Sequence, residues 1–139
     1  MLHGLRNNFA VLFTLPPNTE NETHRDIAVD DTDVPKLNWS YSSDHVMRWY
    51  QIRPDTKQKL MTDATTAEGK TYSAFNPRQM DLAHEQAVGF PSLVNAGIPH
   101  NVRNGAQIRR CLSVPLRRND GSMLDMDQAI ALMSGFIVG

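Results

Sequence analysis

The feature that most constrains this chain is Asn104-Gly105, set inside IPHNVRNGAQIR at residues 98–109. Asn-Gly between two apolar-rich runs predicts a β-hairpin, because a type I′ turn needs positive φ at both central residues. A two-residue loop puts Arg103 opposite Ala106 and His100 opposite Arg109. Directly opposed residues share one face of a sheet. A metal-capable imidazole and a carboxylate-capable guanidinium are therefore expected to point into the same space. The same count places Ala96, Ile98, His100 and Val102 on that face, with Gln107, Arg109, Cys111 and Ser113 across from them. Arg110 falls on the other face, and a single bulge exchanges the two arginines.

The rest of the chain reads as short strands cut by turn residues. Residues 9–15 (FAVLFTL) are β-forming and stop at Pro16-Pro17. Leu37, Trp39 and Tyr41 alternate with Asn38 and Ser40, the period of a half-buried strand. Residues 46–52 (VMRWYQI) form another candidate, stopped by Pro54; residues 57–62 and 70–75 add two more. Residues 80–88 fit either helix or strand. Residues 90–103 and 106–116 are the two arms of the hairpin, and Asn119-Asp120-Gly121 is a turn. Residues 124–133 (LDMDQAIALM) predict a short helix capped by Asp125 and closed by Gly135. Many short strands with one helix point to a mainly β single domain over residues 1–139, a sandwich or barrel.

Composition removes several function classes. The formal net charge is −1, which gives no bulk attraction to nucleic acid or to an anionic membrane. No apolar run approaches a membrane span, and residues 9–15 lack the cleavage site of a signal peptide. One cysteine, Cys111, excludes an internal disulfide framework and fits a reducing, cytoplasmic compartment. The sequons at Asn21 and Asn38 are then chance matches. Asp30-Asp31-Thr32-Asp33 lacks the spacing and glycine of an EF-hand loop and reads as a solvated acidic loop.

The chemistry concentrates elsewhere. In His24-Arg25-Asp26 the outer two residues project to one face of an extended strand, with Cα atoms about 6.6 Å apart. His-x-Asp supplies two legs of a 2-His-1-carboxylate facial triad, the arrangement that leaves open positions on non-heme Fe(II). His100 is the natural third leg. His-x-Asp alone is a common match, and taken by itself a polar surface loop is the better account of it. Arg109, on a face shared with Ile98 and Val102, calls for an anionic partner, and its planar fork suits a carboxylate.

His-x-Asp, a distal His and an Arg about ten residues later resemble the Fe(II)/2-oxoglutarate-dependent oxygenase superfamily. Within it, the chain resembles the small oxygenase-like proteins of marine phage and metagenome sequences. The matching pieces are THRD, LNWSY, MRWY, PSLVNAGIPHNV and RRCLS, in family order from about residue 9 to residue 116. The resemblance implies a double-stranded β-helix of eight strands, a cupin-like jelly roll. It implies Fe(II) held by His24, Asp26 and His100, the catalytic centre. It implies 2-oxoglutarate anchored on Arg109, with Ser113 on the same strand, Asn38 bonding the cosubstrate and Tyr50 reaching its carboxylate. The family's usual Arg-x-Ser is departed from, since Arg109 is followed by Arg110 and Cys111, so the choice of arginine stays open. The implied activity is hydroxylation of a small molecule or side chain, and a homo-oligomer is compatible with it.

A second resemblance is to cupins. Gly89, Gly97, His100 and Asn104 fit their second motif, with Asn95 in place of its proline. The first motif is matched less well, by His24, Asp26 and Asp30. The alternatives to an oxygenase are therefore a cupin-type metal protein that uses no 2-oxoglutarate, and a non-catalytic barrel that binds a ligand or partner.

Overall fold

Proline, glycine and asparagine cut the chain into short β segments, most of which pair with distant neighbours. The computed structural model describes residues 10–26, 32–41, 44–54, 62–65, 69, 71–88 and 91–136. Its strands are β1 (Val11–Leu15), β2 (His24–Arg25), β3 (Pro35–Ser40), β4 (Val46–Ile52), β5 (Thr62–Thr65), β6 (Thr71–Ala74), β7 (Met80–Ala87), β8 (Ser92–Asn95), β9 (His100–Arg103) and β10 (Arg109–Pro115). They form a four-stranded sheet in the order β1-β10-β3-β8 and a six-stranded sheet in the order β5-β6-β2-β9-β4-β7. Every strand pairing is antiparallel. The fold is thus mainly β, with two open sheets and one short helix. The candidate strand at 57–62 lies outside the described residues except for Thr62. Of residues 80–88, Met80–Ala87 form a strand.

The core between the sheets is built by Met47, Val88, Val94 and Val102, with Leu15 and Trp49 against them. The helix α1 (Met126–Met133) begins at Asp125, whose side chain accepts from the Gln128 amide while Gln128 reciprocates in a capping box. Its apolar side, Ala129 and Met133 with Leu116 and Leu124, packs with Leu37 and Leu93 of the four-stranded sheet. Asp33 ties this layer together. One carboxylate oxygen accepts from the Met126 amide at 2.8 Å and the other from Asn95 Nδ2 at 2.7 Å.

The hairpin expected at Asn104-Gly105 does not form. β9 belongs to the six-stranded sheet and β10 to the four-stranded sheet, and they are not paired. Among the described residues positive φ occurs only at Asn18, Gly69 and Gly121, so the type I′ turn is absent. Asn104 instead turns its buried amide inward and donates to the carbonyls of Leu15, Pro16 and Gln107 at 3.1, 2.7 and 2.7 Å. Gly105 is needed for closeness, since a Cβ there would lie 2.3–2.5 Å from Asp44 atoms. Those bonds tie the crossover loop between the sheets to the end of β1.

The first arm of that hairpin also breaks. Residues 96–99 are turn and bend, and the chain changes sheet there. Asn95 organises the break: its Oδ1 accepts from the Val34 and Gly97 amides, both at 3.0 Å. At Gly97 a Cβ would sit 1.9 Å from the Thr32 carbonyl oxygen. Backbone cannot yield there as a flexible side chain could, so Gly97→Ala is expected to cost about 2–3 kcal/mol. Gly135→Ala, where nothing lies within 4 Å of the added Cβ, should stay within about 0.5 kcal/mol of wild type. Urea denaturation of the two variants checks both values.

Candidate metal centre and its cavity

β2 is only two residues long, yet it sets the site. It lies between β6 and β9, with His24 directly opposite Ala74 on one side and His100 on the other. Flanking backbone bonds hold it in place: Asn21 N to Val102 O at 3.2 Å, Phe75 N to Thr23 O at 2.8 Å and Asp26 N to Ala96 O at 2.9 Å. Opposed residues share a face, and the two imidazole centroids lie 4.6 Å apart. Asp26 follows on the same face, its Oδ1 3.2 Å from His24 Nε2. One donor atom from each of His24, Asp26 and His100 falls within 4.8 Å of the others.

The imidazoles are oriented for ligation. His24 Nδ1 donates to the Glu22 carbonyl at 2.9 Å, and His100 Nδ1 donates to the Ile98 carbonyl at 2.8 Å. A carbonyl only accepts, so each Nδ1 carries a proton and each Nε2 is the atom a metal would take; at His24 that atom faces Asp26 Oδ1, so ligation there would displace the proton it shares with the carboxylate. Tyr72 packs edge-on against His24 at 5.8 Å and its hydroxyl donates to Glu22. Two imidazoles and one carboxylate, each with an anchored second contact, fit a divalent transition-metal ion.

A cavity of about 200 Å³ joins this cluster to the four-stranded sheet. That is small beside the roughly 300–1,000 Å³ of drug-sized pockets, and suits a small metabolite. Of the seven residues expected at the site, His24, Asp26, His100, Asn38, Arg109 and Ser113 line the cavity. Tyr50 does not: it shares the outer face with Asn101, to whose Oδ1 its hydroxyl donates at 3.3 Å. Strand alternation on β4 turns it away from Trp49, which pairs opposite His100.

Arg109 is buried while Arg110 is exposed, which decides which arginine faces inward. It meets His100 across the gap between sheets rather than across a hairpin. Its Nη2 donates to Ser40 Oγ at 3.2 Å, and its Nε is buried with no hydrogen-bond partner. Burial pushes its pKa down, partly opposed by the neighbouring Cys111 sulfur. Among the described residues no carboxylate lies in ion-pair contact with it. Asn38 Oδ1, also at the cavity, is likewise buried without a partner. Unsatisfied buried groups are costly and need an explanation. A bound carboxylate would pair the arginine.

Lys36 was not expected here. It reaches across from β3 so that Nζ pairs with Asp26 Oδ2. Its signal lay in the alternation of β3, where Lys36, Asn38 and Ser40 share one face. The apolar set on that strand takes the other side, with Trp39 51% exposed and Leu37 beneath α1. Comparisons with protein families, curated proteins and solved structures found no match for this chain. Among the described residues no helix is long and apolar enough to cross a membrane.

The three metal donors differ in charge state. For Asp26, burial raises the pKa, but the hydrogen bond from His24 and the charge of Lys36 overcome it and hold the carboxyl well below the usual range. For His24, burial lowers the pKa, yet the bond to Asp26 and its charge raise it overall. Burial and the charge of His24 push His100 down to about 4. The signs then follow. Below pH 6.5 the unfolded chain protonates His100 while the native state does not, so its contribution is lost as pH falls from 6.5 to about 4. That loss reaches up to about 3 kcal/mol. The His24 contribution is full below 6.5 and is lost as pH rises through its raised native value. Urea denaturation in metal-free buffer should therefore show falling stability below pH 6.5, and His100→Asn should flatten that limb.

Proposed function

We propose that this chain is an Fe(II)- and 2-oxoglutarate-dependent oxygenase that hydroxylates a small molecule or a side chain. The observation that carries the reading is one cavity holding both a His-Asp-His donor set and a buried arginine that pairs with no carboxylate among the described residues. The strand order supports the scaffold. Without the β5–β6 hairpin, the sheets read β1-β10-β3-β8 and β2-β9-β4-β7. In chain order these are strands 1-8-3-6 and 2-7-4-5, the interleaving of a jelly roll.

In this reading His24 and His100 each offer Nε2 and Asp26 a carboxylate oxygen. The Glu22 and Ile98 carbonyls keep both rings in the ligating tautomer. Bound Fe(II) supplies the redox chemistry that couples decarboxylation of 2-oxoglutarate to succinate with oxygenation of a C–H bond. Arg109 holds the far carboxylate of the cosubstrate, and Ser40 fixes the guanidinium. Ser113 and Asn38 oppose each other on paired strands beside it and offer the cosubstrate hydrogen bonds. Met47, Val102 and Leu15 line the same space and exclude water. The work of the protein is orientation and electrostatics.

A cupin-type metal protein would use the same three donors but leaves Arg109 without a purpose. The test measures succinate formed from 2-oxoglutarate with Fe(II) and O₂. Wild type should form it, His100→Ala should not, and Arg109→Ala should raise the KM for 2-oxoglutarate by roughly 100-fold, the worth of a charge-assisted pair. Metal binding that is indifferent to 2-oxoglutarate would favour the cupin reading. No binding of a divalent transition metal overturns both and leaves a ligand-binding module.

A further inference from the structure

Lys36 is the residue that the oxygenase reading leaves without a role. It stands on β3 in the four-stranded sheet, while Asp26 follows β2 in the six-stranded sheet. Their ion pair therefore bridges the two sheets at the metal end of the cavity. Asp26 is divided between two partners: Oδ1 faces the His24 imidazole and Oδ2 the Lys36 ammonium. The ammonium thus occupies an oxygen that a divalent ion would share. Both side chains are partly exposed, at 15% and 20%, so the pair can open without breaking the core.

The charges make the point sharper. A divalent ion brings +2 to a cavity already lined by Asp26 at −1, Lys36 at +1 and Arg109 at +1. With both imidazoles neutral, as ligation requires, the cavity then carries +3. A surplus of that size in a partly desolvated space disfavours the metal until an anion arrives. A dicarboxylate of charge −2 can engage Arg109 with one end and the freed Lys36 with the other.

We infer that Lys36 is a built-in cation that competes with the metal for Asp26 and, once displaced, anchors the metal-side end of a dianionic ligand. Lys36 thereby couples metal binding to dicarboxylate binding. The inference rests on the metal reading of the site. Coupling of this kind is reciprocal, so a dianion that takes up Lys36 must tighten the metal by the factor by which the metal tightens it.

The test uses the full chain, Mn(II) as the metal probe and succinate as the redox-inert dianion, read by calorimetry. Lys36→Met keeps the stem and removes the charge. It should bind Mn(II) alone at least about fivefold tighter than wild type, the low end of ordinary coupling between sites. Succinate should tighten Mn(II) binding in wild type by a similar factor and have a much smaller effect in Lys36→Met. Lys36→Arg, which keeps the charge, should follow wild type and serves if the methionine variant does not fold. If Lys36 merely positions Asp26, Lys36→Met will bind Mn(II) more weakly, and the inference fails while the metal site stands. If wild type binds no Mn(II), or His24→Ala binds it equally well, the metal reading itself fails and takes the inference with it.

Discussion

The site hangs on a strand of two residues. β2 has too few residues to form a stable ladder alone, yet it sits in the middle of the six-stranded sheet with partners on both sides. Backbone bonds from Asn21, Thr23 and Asp26 to three different segments extend its grip beyond the two residues themselves. Because the pairing is antiparallel and in register, His24 and His100 are forced onto the same face. A slip of one residue would send His24 to the other face and bring Arg25 inward. Arg25 now lies buried on that other face, over the ring of Phe75.

The second constraint is the imbalance of charge between the sheets. The six-stranded sheet offers neutral or anionic donors, and the four-stranded sheet faces them with Lys36 and Arg109. Lys36 is neutralised by Asp26, while among the described residues Arg109 meets the Ser40 hydroxyl and the Cys111 sulfur and no carboxylate. A buried guanidinium without a counter-ion costs stability in the free protein. That cost is intelligible when the arginine is kept ready for an anion that arrives from solution. Chain and ligand would then complete one polar network together.

Much of the local structure was legible in the sequence. The strand at 46–52 has the bounds expected of it, and the helix starts at the Asp125 cap. His24 and Asp26 share a face, as the period of an extended strand requires. On β3 the alternation of a half-buried strand holds: Lys36 and Asn38 face the cavity, with Asn38 where it is expected, while Leu37 packs under α1 and Trp39 is exposed. One departure is instructive. Asn-Gly predicts a hairpin from local φ preference alone, whereas the Asn104 side chain donates to the distant Leu15 and Pro16 carbonyls as well as to nearby Gln107.

The sequence by itself determined which residues have side chains fit to ligate or pair, and which local periods they obey. Side-chain direction on a strand and the cap of a helix are properties of neighbours in the chain. Only the tertiary structure decided what faces what. His100 was expected opposite Arg109 across a turn; it is opposite His24 within a sheet, and it meets Arg109 across the space between sheets. Pairing between distant strands is set by burial of the whole core and by satisfaction of every carbonyl at once. No short window of sequence contains that sum.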